Sequence, residues 1–497
     1  MNSKEFLKEF QAFLSDKGFI YGPEPEIYGG IAGFYTYGPL GKKLKNRLEN
    51  TLRIEFEKKG FWEIETPIIV PEIVWKASGH LDSFNDPIIL CGKCKASFNA
   101  EKLIEELIKE NAGGLKDQEL LEKIKSNNLK CPSCKGNFED KIERHSLMMK
   151  TTIGLNTTTF NRPETATVTY LPFKRYEKFF RDKLPFSVFQ IGKSFRNEIA
   201  PRQLTVRGRE FTQAEAQIFL TKKMKENWPE FEKIKETKLP LIPAVNQKED
   251  KMEVSNLTVN DALNKKLFSS KAYAWTVWFA FNLFKEIGFE DKDLRLRQHK
   301  EDEKAFYALS AWDLEIKFRS YGWIECCGIH DRGDYDLKQH EKFSKTKLQV
   351  KDEEGKDFTP QVLEIAFGTD RPLLALLDKA FEKRIEDEKR ILLKLPLKLT
   401  PIDIAILPLV NKDGVKEKAL EVFEKLNCCY KTVFDDSGSI GRRYARQDSI
   451  GTAFCITIDY ESKKNDDVTL RHRDSMKQER IKISELQNLI FKKIYCE

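Results

Sequence analysis

The patterning of this chain predicts an α+β fold in two unequal parts. Over residues 186–368 the strand-like segments return on themselves through short turns, which argues for an antiparallel sheet with helices outside it. The clearest is 311–318, where Trp312, Leu314, Ile316 and Phe318 alternate with Asp313, Glu315 and Lys317. Near 393–401 the rhythm changes to strand, helix, strand, helix, strand, which predicts a separate α/β unit over 396–497. The length, 497 residues, fits about three domains at roughly 150 residues each. With 40% hydrophobic residues and 35 Phe, large cores are available and wholesale disorder is excluded.

The elements follow in order. Phe6, Leu7, Phe10, Phe13 and Leu14 recur at helical spacing, so the chain up to about residue 20 predicts an amphipathic helix. A glycine-rich turn region, YGGIAGFYTYGPLG, occupies 28–41. Leu40, Leu44, Leu48, Leu52 and Phe56 then give a long helix with one apolar stripe, which Gly60 stops. FWEIETPIIVP (61–71) alternates and predicts one strand. Residues 91–134 form an excursion, in which EKLIEELIKE and LLEKIKS flank NAGG and predict a helical hairpin. Strands are expected at 186–198 and 209–220, joined by a basic loop over 200–208. Residues 221–270 are polar and of mixed period, and 221–290 as a whole is expected to be a peripheral insertion. A helix over 271–288 follows, then the 311–318 strand, which Tyr321-Gly322 turns into another over 323–329. Gly368 leads a strand over 361–367 into a helix over 371–381. Beyond 400 we expect strands at 402–410, 430–434 and 453–460, a strand pair over 468–483, and helices at 415–426, 440–447 and 484–494.

Charge and apolar runs bound the function. The excess of 85 Lys+Arg over 78 Asp+Glu, +7, is too small to signal nucleic acid by itself. No run approaches the ~18 apolar residues of a membrane span. The first residues, MNSKEFLKEFQAFLSDKG, lack the apolar core of a signal peptide. No membrane partner and a cytoplasmic location are the expectation. Of ten Cys, Cys91, Cys94, Cys131 and Cys134 form two CxxC pairs. Two such knuckles complete a tetrahedral S4 site for a structural Zn2+, with a redox pair as the other reading. The adjacent pairs Cys326–Cys327 and Cys428–Cys429 are poor disulfide geometry, and Cys455 and Cys496 stand alone. Free thiols beside one metal site fit better than a disulfide framework.

Three further patterns carry chemistry. FRNEIAPRQLTVRGREF (195–211) delivers Arg196, Arg202, Arg207 and Arg209 around one turn, with Glu198 and Phe211 beside them. Guanidiniums suit bidentate phosphate contacts, and an aromatic face suits a nucleobase; an exposed basic hairpin laced with salt bridges is the equal alternative. EIAFGTDRPLLALL (364–377) places Gly368 where a backbone can approach a ligand closely, with Arg371 at a helix start. Asp313, Glu315, Glu325, Asp331 and Asp334 lie on or just after two adjacent strands. They are able to hold Mg2+ or a substrate ammonium, or to form a solvated sheet face. His80, His330 and His340 lack metal-ligand spacing and read as ordinary polar residues.

Taken together, and in this order, these pieces resemble the homodimeric glycyl-tRNA synthetases, a family of class II aminoacyl-tRNA synthetases. The phrases that carry the resemblance include YTYGPLG (35–41), SGHLDSFNDP (78–87), RPET (162–165) and QIGKSFRNEIAPR (190–202). Others are REFTQAE (209–215), AWDLEIKFRSYGWIE (311–325), DRGDYDL (331–337), FGTDR (367–371) and DSGSIGRRYARQDSIGTAFCITID (436–459). The resemblance is weakest at 101–130 and 221–290. It implies a class II antiparallel-sheet catalytic domain over 1–395, with a zinc-knuckle insertion at 91–134, and a C-terminal α/β anticodon-binding domain over 396–497. The implied reaction joins glycine to ATP as glycyl-adenylate, with Mg2+, and then to the 3′ end of the tRNA for glycine. The implied assembly is a homodimer through about 28–75.

The resemblance also implies site residues. For ATP they are Arg196, Asn197, Glu198, Val206, Arg207, Gly208, Arg209, Glu210, Phe211, Glu325, Cys326, Gly368, Thr369, Asp370 and Arg371. Arg196, Glu198 and Arg371 are the catalytic set: Arg196 for the α-phosphate, Glu198 for the adenine amino group and Arg371 for the γ-phosphate. For glycine they are Glu164, Phe211, Thr212, Gln213, Ala214, Glu215, Arg332, Glu364, Ile365, Ala366, Phe367 and Gly368. Three positions depart from the family pattern. Ile365-Ala366 stands where the family has Pro-Ser, Asn99 where it has Arg, and Ala166-Thr167-Val168 where it has Ala-Gln-Gly. Two alternatives remain beside the ligase. One is a non-catalytic, synthetase-like nucleic-acid-binding subunit, against which the retained Arg196, Glu198, Phe211 and Arg371 argue. The other is a synthetase for another small amino acid, which Ala366 and Asn99 keep open.

Overall fold

Helix α1 (Ser3–Asp16) and helix α2 (Pro39–Lys58) open the chain in the computed structural model. It describes every residue except 1, 2, 109, 111, 200, 202, 203, 249, 250, 302, 305, 306, 353, 386, 388, 389 and 497. The stripe Leu44, Leu48, Leu52 and Phe56 on α2 is fully buried, because a four-residue recurrence puts all of them on one helix face. Gly41 permits the close start of that helix: a Cβ there would lie 1.8 Å from the Phe19 carbonyl oxygen.

The expected strand over 61–71 is two strands in two sheets. β1 (Phe61–Glu63) joins the main sheet, and β2 (Ile69–Pro71) pairs with a separate hairpin, β6 (Met149–Ile153) and β7 (Thr157–Asn161). Between these lies the excursion. β3 (Asn85–Cys91), β4 (Ser97–Asn99) and β5 (Phe138–Ser146) make a small sheet. Helices α3 (Ala100–Ile108) and α4 (Asp117–Ser126) cover it with a core of their own around Ile89, Leu103, Ile104 and Leu120. The helical hairpin was legible; the three strands around it were not.

The main sheet takes β8 (Phe186–Phe195), β9 (Glu210–Leu220), β10 (Lys238–Ile242), β11 (Ser255–Thr258), β12 (Leu294–Gln298), β13 (Ser310–Phe318), β14 (Gly322–Gly333) and β15 (Gln361–Gly368). The order of its described strands is β11-β10-β12-β13-β14-β15-β9-β8-β1. Every pairing is antiparallel except β10 with β12 and β8 with β1. Helix α5 (Lys271–Glu286) and helix α7 (Asp370–Ala380) cover one face together with α2. Helix α6 (Tyr335–Ser344) follows β14. The stretch 221–290 is therefore not peripheral. It supplies two strands to the sheet edge and, in α5, a helix whose Tyr273, Trp275, Phe279 and Phe284 sit in the main core. The mixed period over 221–270 reflects short strands and short helical turns in quick succession, whereas the helix expected over 271–288 is present as α5 and is buried on nearly all sides.

The C-terminal part contains β16 (Ile404–Pro408), α8 (Val415–Asn427), β17 (Thr432–Phe434), α9 (Ile440–Ile450), β18 (Phe454–Ile458), β19 (Asp467–His472), β20 (Gln478–Lys482) and α10 (Leu486–Tyr495). Its sheet runs β17-β16-β18-β19-β20 around a separate core. The parallel pairs come first and the hairpin last, as the alternation predicts.

A buried clamp fixes α2 to the sheet. Lys45 Nζ lies 2.5 Å from Asp370 Oδ1 and donates to Thr212 Oγ1 at 2.8 Å. Tyr37 donates its hydroxyl to the same Asp370 oxygen at 2.5 Å, and the Thr212 N–H reaches the other at 2.7 Å. Burial alone would raise the Asp370 carboxyl, but Lys45 holds it below its ordinary value. Burial first, then Asp370, pushes the Tyr37 hydroxyl well above its own. Removing one partner of such a pair strands the other charge. Asp370→Asn is therefore expected to cost about 3–5 kcal/mol, read as a lower urea midpoint. A loss under about 1 kcal/mol would show that the clamp is dispensable.

Candidate active site

The face of the main sheet opposite the helices carries a cavity of about 320 Å³. Strand alternation builds it. On β9, Ala214, Ala216 and Ile218 point into the core while Phe211, Gln213 and Glu215 line the cavity. On β15, Ile365 packs in the core while Glu364, Ala366 and Gly368 line the cavity. On β14, Cys327 and Ile329 are buried between Cys326, Gly328 and His330.

One end is cationic and aromatic. Arg196, just beyond β8, has its backbone N–H on Arg209 O at 2.9 Å, so the turn after the strand sets its position. Its guanidinium lies 5.3 Å from the rings of both Phe84 and Phe211 and donates from Nε to Pro163 O at 3.2 Å. Glu198 stands 3.6 Å from Arg207. Arg371 spans two carbonyls, donating from Nε to Val206 O at 2.8 Å and from Nη1 to Glu325 O at 2.6 Å. Glu325 opens into the cavity, and Asp313 behind it, then burial, raises its pKa.

The other end is acidic. Glu164, Glu215 and Glu364 converge there. Glu364 accepts from Arg332 Nη1 at 3.1 Å and Tyr170 Oη at 3.2 Å, and lies 3.0 Å from His330 Nδ1. Arg332 is gripped by both oxygens of Asp336 at 2.7 Å and lies 3.9 Å from the Tyr307 ring centre. Glu164 lies 3.4 Å from His80 Nε2 and accepts from Thr167 Oγ1 at 2.7 Å. Burial opposes the ionised form of both Glu164 and Glu364, but His80 and Arg332 respectively hold them below the usual range. Glu215 has no ion-pair partner among the described residues. It accepts from Thr165 Oγ1 at 2.5 Å and Gln213 Nε2 at 3.1 Å. Burial, then Glu164 and Glu364, pushes it up to about 8. Gln213 Oε1 is buried beside it with no hydrogen-bond partner among the described residues. The cluster is thus one cation short.

Most residues expected at the site line this cavity: Glu164, Arg196, Glu198, Val206, Arg207, Gly208, Phe211, Gln213, Glu215, Glu325, Cys326, Glu364, Ala366, Phe367, Gly368, Asp370 and Arg371. Eight do not. Asn197 binds the excursion, its N–H on Leu147 O at 2.8 Å and its carbonyl 3.0 Å from His145 Nε2. Arg209 spends its guanidinium on the carbonyls of Ala32, Glu198 and Ile199. Glu210 pairs outward with Lys193 at 2.9 Å. Thr212 and Thr369 face the α2 clamp, Ala214 and Ile365 the core, and Arg332 stands behind Glu364. Arg202 lies outside the described residues. Thr205, Tyr307, Gly328 and His330 line the cavity without having been expected. His330 and His80 are not ordinary polar residues, since each faces a cavity carboxylate. Their signal was position on a strand or beside a motif, not spacing between histidines. Asp313 and Glu315 do not form a solvated face: both are buried against Arg297, His299 and Arg295.

The four CxxC sulfurs come together at the base of the α3–α4 hairpin, all within 4.8 Å of one another. Cys91 Sγ is 3.5 Å from Cys134 Sγ, and Cys94 Sγ is 3.7 Å from Cys131 Sγ. Both knuckles turn alike, with Lys95 and Lys135 at φ 60° and their N–H groups on Cys91 O and Cys131 O. A Cβ at Gly136 would press on the sulfurs of Cys91 and Cys134. This donor set fits tetrahedral Zn2+ with Zn–S near ~2.3 Å and no position left open, a structural role.

Comparison with known proteins agrees with the geometry. Residues 162–380 match the family described as tRNA synthetase class II core domain (G, H, P, S and T), and 403–493 match the family described as anticodon binding domain. The chain is similar to the glycine–tRNA ligase of Methanococcus maripaludis, 37% identical with 96% of this chain and 98% of that one covered. It is likewise similar to those of Thermococcus gammatolerans, 37% with 98% of each covered, and Methanothermobacter thermautotrophicus, 38% with 95% and 96% covered. In fold it resembles the Giardia lamblia prolyl-tRNA synthetase solved with prolyl-adenylate. The TM-score is 0.61 at 16% identity, covering 97% of this chain and 76% of that one.

Because His145 on β5 and Leu147 just beyond it hold Asn197, stripping metal is expected to loosen 91–134 and the Asn197 turn together. Amide exchange before and after chelation reads this. Protein prepared without chelator and found free of zinc by elemental analysis would count against the site.

Proposed function

The chain belongs to the glycine–tRNA ligase family of class II aminoacyl-tRNA synthetases, and from that premise we propose how its residues divide the work. It is an enzyme that activates glycine with ATP and transfers the glycyl group to tRNA. The cavity's polarity carries the assignment: a cationic, aromatic end for the nucleotide and an acidic end for the ammonium. A glycine carboxylate oxygen attacks the α-phosphorus, and the bond to the β-phosphate oxygen breaks as pyrophosphate leaves. The 3′-terminal ribose hydroxyl of tRNA then attacks the acyl carbon, and AMP leaves. Such steps need positioning and charge neutralisation more than proton transfer.

Arg196 supplies that charge at the α-phosphate. One face of Phe211 is taken by Arg196, and the other is offered to adenine, with Glu198 for its amino group. Arg371 ties the 204–206 turn to β14, so it shapes the phosphate end as well as facing it. Glu325 is an open carboxylate there, while Arg297, His299 and Arg295 engage Asp313 and Glu315. That suits Mg2+, which takes one or two carboxylates and finds its other ligands in water and substrate phosphates; when bound it would neutralise phosphate charge. Glu215, Glu164 and Glu364 receive the ammonium. Larger amino acids are rejected sterically, which is the easier direction of discrimination.

We extend the reading to the remaining parts. Residues 1–395 form the catalytic domain, with 91–134 as its zinc-binding insertion, and 396–497 bind the anticodon region of tRNA. A homodimer through about 28–75 accounts for the exposed Ile54, Trp62, Ile68, Ile69 and Ile73, since exposed apolar groups in numbers mark contact surfaces. Ten free cysteines suit a reducing compartment such as the cytoplasm.

ATP–pyrophosphate exchange tests the reading, with glycine, alanine and serine in parallel. Exchange with glycine alone is expected, and exchange with none would return the protein to the non-catalytic alternative. Arg196→Ala is expected to lower exchange at least about 10²–10³-fold with the fold intact; near-normal exchange would overturn the role of Arg196. Glu215, near 8 in the free protein, holds a proton at neutrality that an arriving ammonium displaces. Proton release on binding means tighter binding at higher pH. KM for glycine should therefore fall as pH rises towards about 8 and level off above it. Glu215→Gln should flatten that dependence, and an unchanged profile would exclude Glu215 as its source.

A further inference from the structure

Cys428 and Cys429 follow α8 directly, both exposed, with their sulfurs 3.3 Å apart. They stand in a cleft of about 610 Å³ between α2 and the C-terminal part, lined by Arg47, Arg53, Lys431 and Tyr495 among others. The cleft carries excess positive charge. Arg47 is neutralised by Asp403 at 2.6 Å and Arg53 by Glu63 at 2.9 Å, whereas Lys431 makes no ion pair among the described residues. The two thiols are wired to the joint between the parts. Cys429 Sγ accepts from Gln487 Nε2 at 3.1 Å. Two residues on, the Lys431 N–H donates at 2.9 Å to the Asp403 oxygen that Arg47 holds. Arg47 also donates to Tyr495 Oη at 3.0 Å.

We propose that Cys428–Cys429 is a thiol–disulfide exchange site for small anionic disulfides of the glutathione kind. A thiolate of the pair attacks one sulfur of the reagent. The reagent's S–S bond breaks, and its leaving thiolate takes a proton from solvent. The second cysteine then loses its proton to solvent and attacks the protein-side sulfur of the mixed disulfide, expelling a second small thiol. Two protein thiols are oxidised by two electrons, and one small disulfide is reduced to two thiols. The Cα atoms of adjacent residues lie ~3.8 Å apart across a trans peptide, inside the ~4.4 Å lower limit of relaxed disulfides. The ring is therefore strained and readily reversed, the property of labile disulfides rather than structural ones. Closing it pulls on 428–431 and hence on the Lys431–Asp403–Arg47 link. Given the ligase reading, this lowers tRNA charging and spares glycine activation, which needs only the larger part.

The test treats the full-length, zinc-loaded protein with glutathione disulfide and maps the products by peptide mass. The expected product is a peptide holding both Cys428 and Cys429 that is lighter by two hydrogens. In Cys428→Ser or Cys429→Ser the remaining cysteine should instead retain one glutathione. At low salt the reaction should run on the order of tenfold faster than with neutral hydroxyethyl disulfide. High salt or Lys431→Gln should erase that advantage. Modification of Cys496 with the pair left reduced would overturn the site, and equal rates for the two reagents would overturn its anion preference. Neither outcome depends on the ligase reading. In the oxidised protein, charging should fall several-fold with exchange unchanged and recover on reduction; unaltered charging would overturn the link to the joint.

Discussion

The ion pair between Lys45 and Asp370 joins three things that the chain makes far apart. Asp370 opens α7, Lys45 lies one turn and a half into α2, and Thr212 sits on β9 one residue past Phe211. A buried charge tolerates only a partner with good geometry and its remaining hydrogen bonds satisfied. Asp370 meets that demand with Tyr37, Lys45 and the Thr212 N–H on its two oxygens. The register of β9 is thereby pinned from behind, and a strand has only two faces. With Thr212 held to the helices, Phe211, Gln213 and Glu215 have to face the cavity. The clamp thus sets which side chains face the site, and its Asp370 also reaches the cavity wall.

The acidic end follows from the same physics with the opposite outcome. Glu164 and Glu364, beside His80 and Arg332, stay ionised; Glu215 has no such partner among the described residues and takes up a proton instead. Gln213 Oε1 remains without a donor among the described residues. An uncompensated site costs stability in the free protein, and on the proposed function an ammonium of the right size would complete it. Arg332 is the counterweight, since Asp336 already neutralises one of its faces and leaves the other for Glu364. On the proposed function, recognition rests on an unfinished charge balance and not on a shape alone.

The sequence made some of this legible and hid the rest for identifiable reasons. Alternation on 311–318 and the four-residue stripe of α2 located elements closely, because each has one polar and one apolar side. Helix α5 and strands β10 and β11 were misplaced at the periphery because their context is apolar on both sides or supplied by distant strands. Asp313 and Glu315 looked like a wet sheet face; arginines on β12, sixteen and twenty residues earlier, make that face dry. The motif resemblance found the cavity's charged residues but could not separate those that face it from those that hold them. Arg209, Asn197 and Arg332 belong to the second kind, and only the pairing of chain segments far apart in sequence reveals it.

The departures from the family pattern take a physical meaning in that light. Asn99 caps α3 by accepting the Lys102 N–H at 3.1 Å, so the excursion has acquired a helix start where an arginine was expected. Thr167 donates to Glu164, restoring a hydrogen bond within the acidic end three residues after the carboxylate it serves. Ala366 removes a hydroxyl from the cavity wall, directly across the sheet from Glu215 on one side and Gly328 on the other. A wall of Ala and Gly adds no donor to compete with an ammonium for Glu215. On the proposed function, losing the hydroxyl therefore leaves the ammonium to the carboxylates, and all three remain in place.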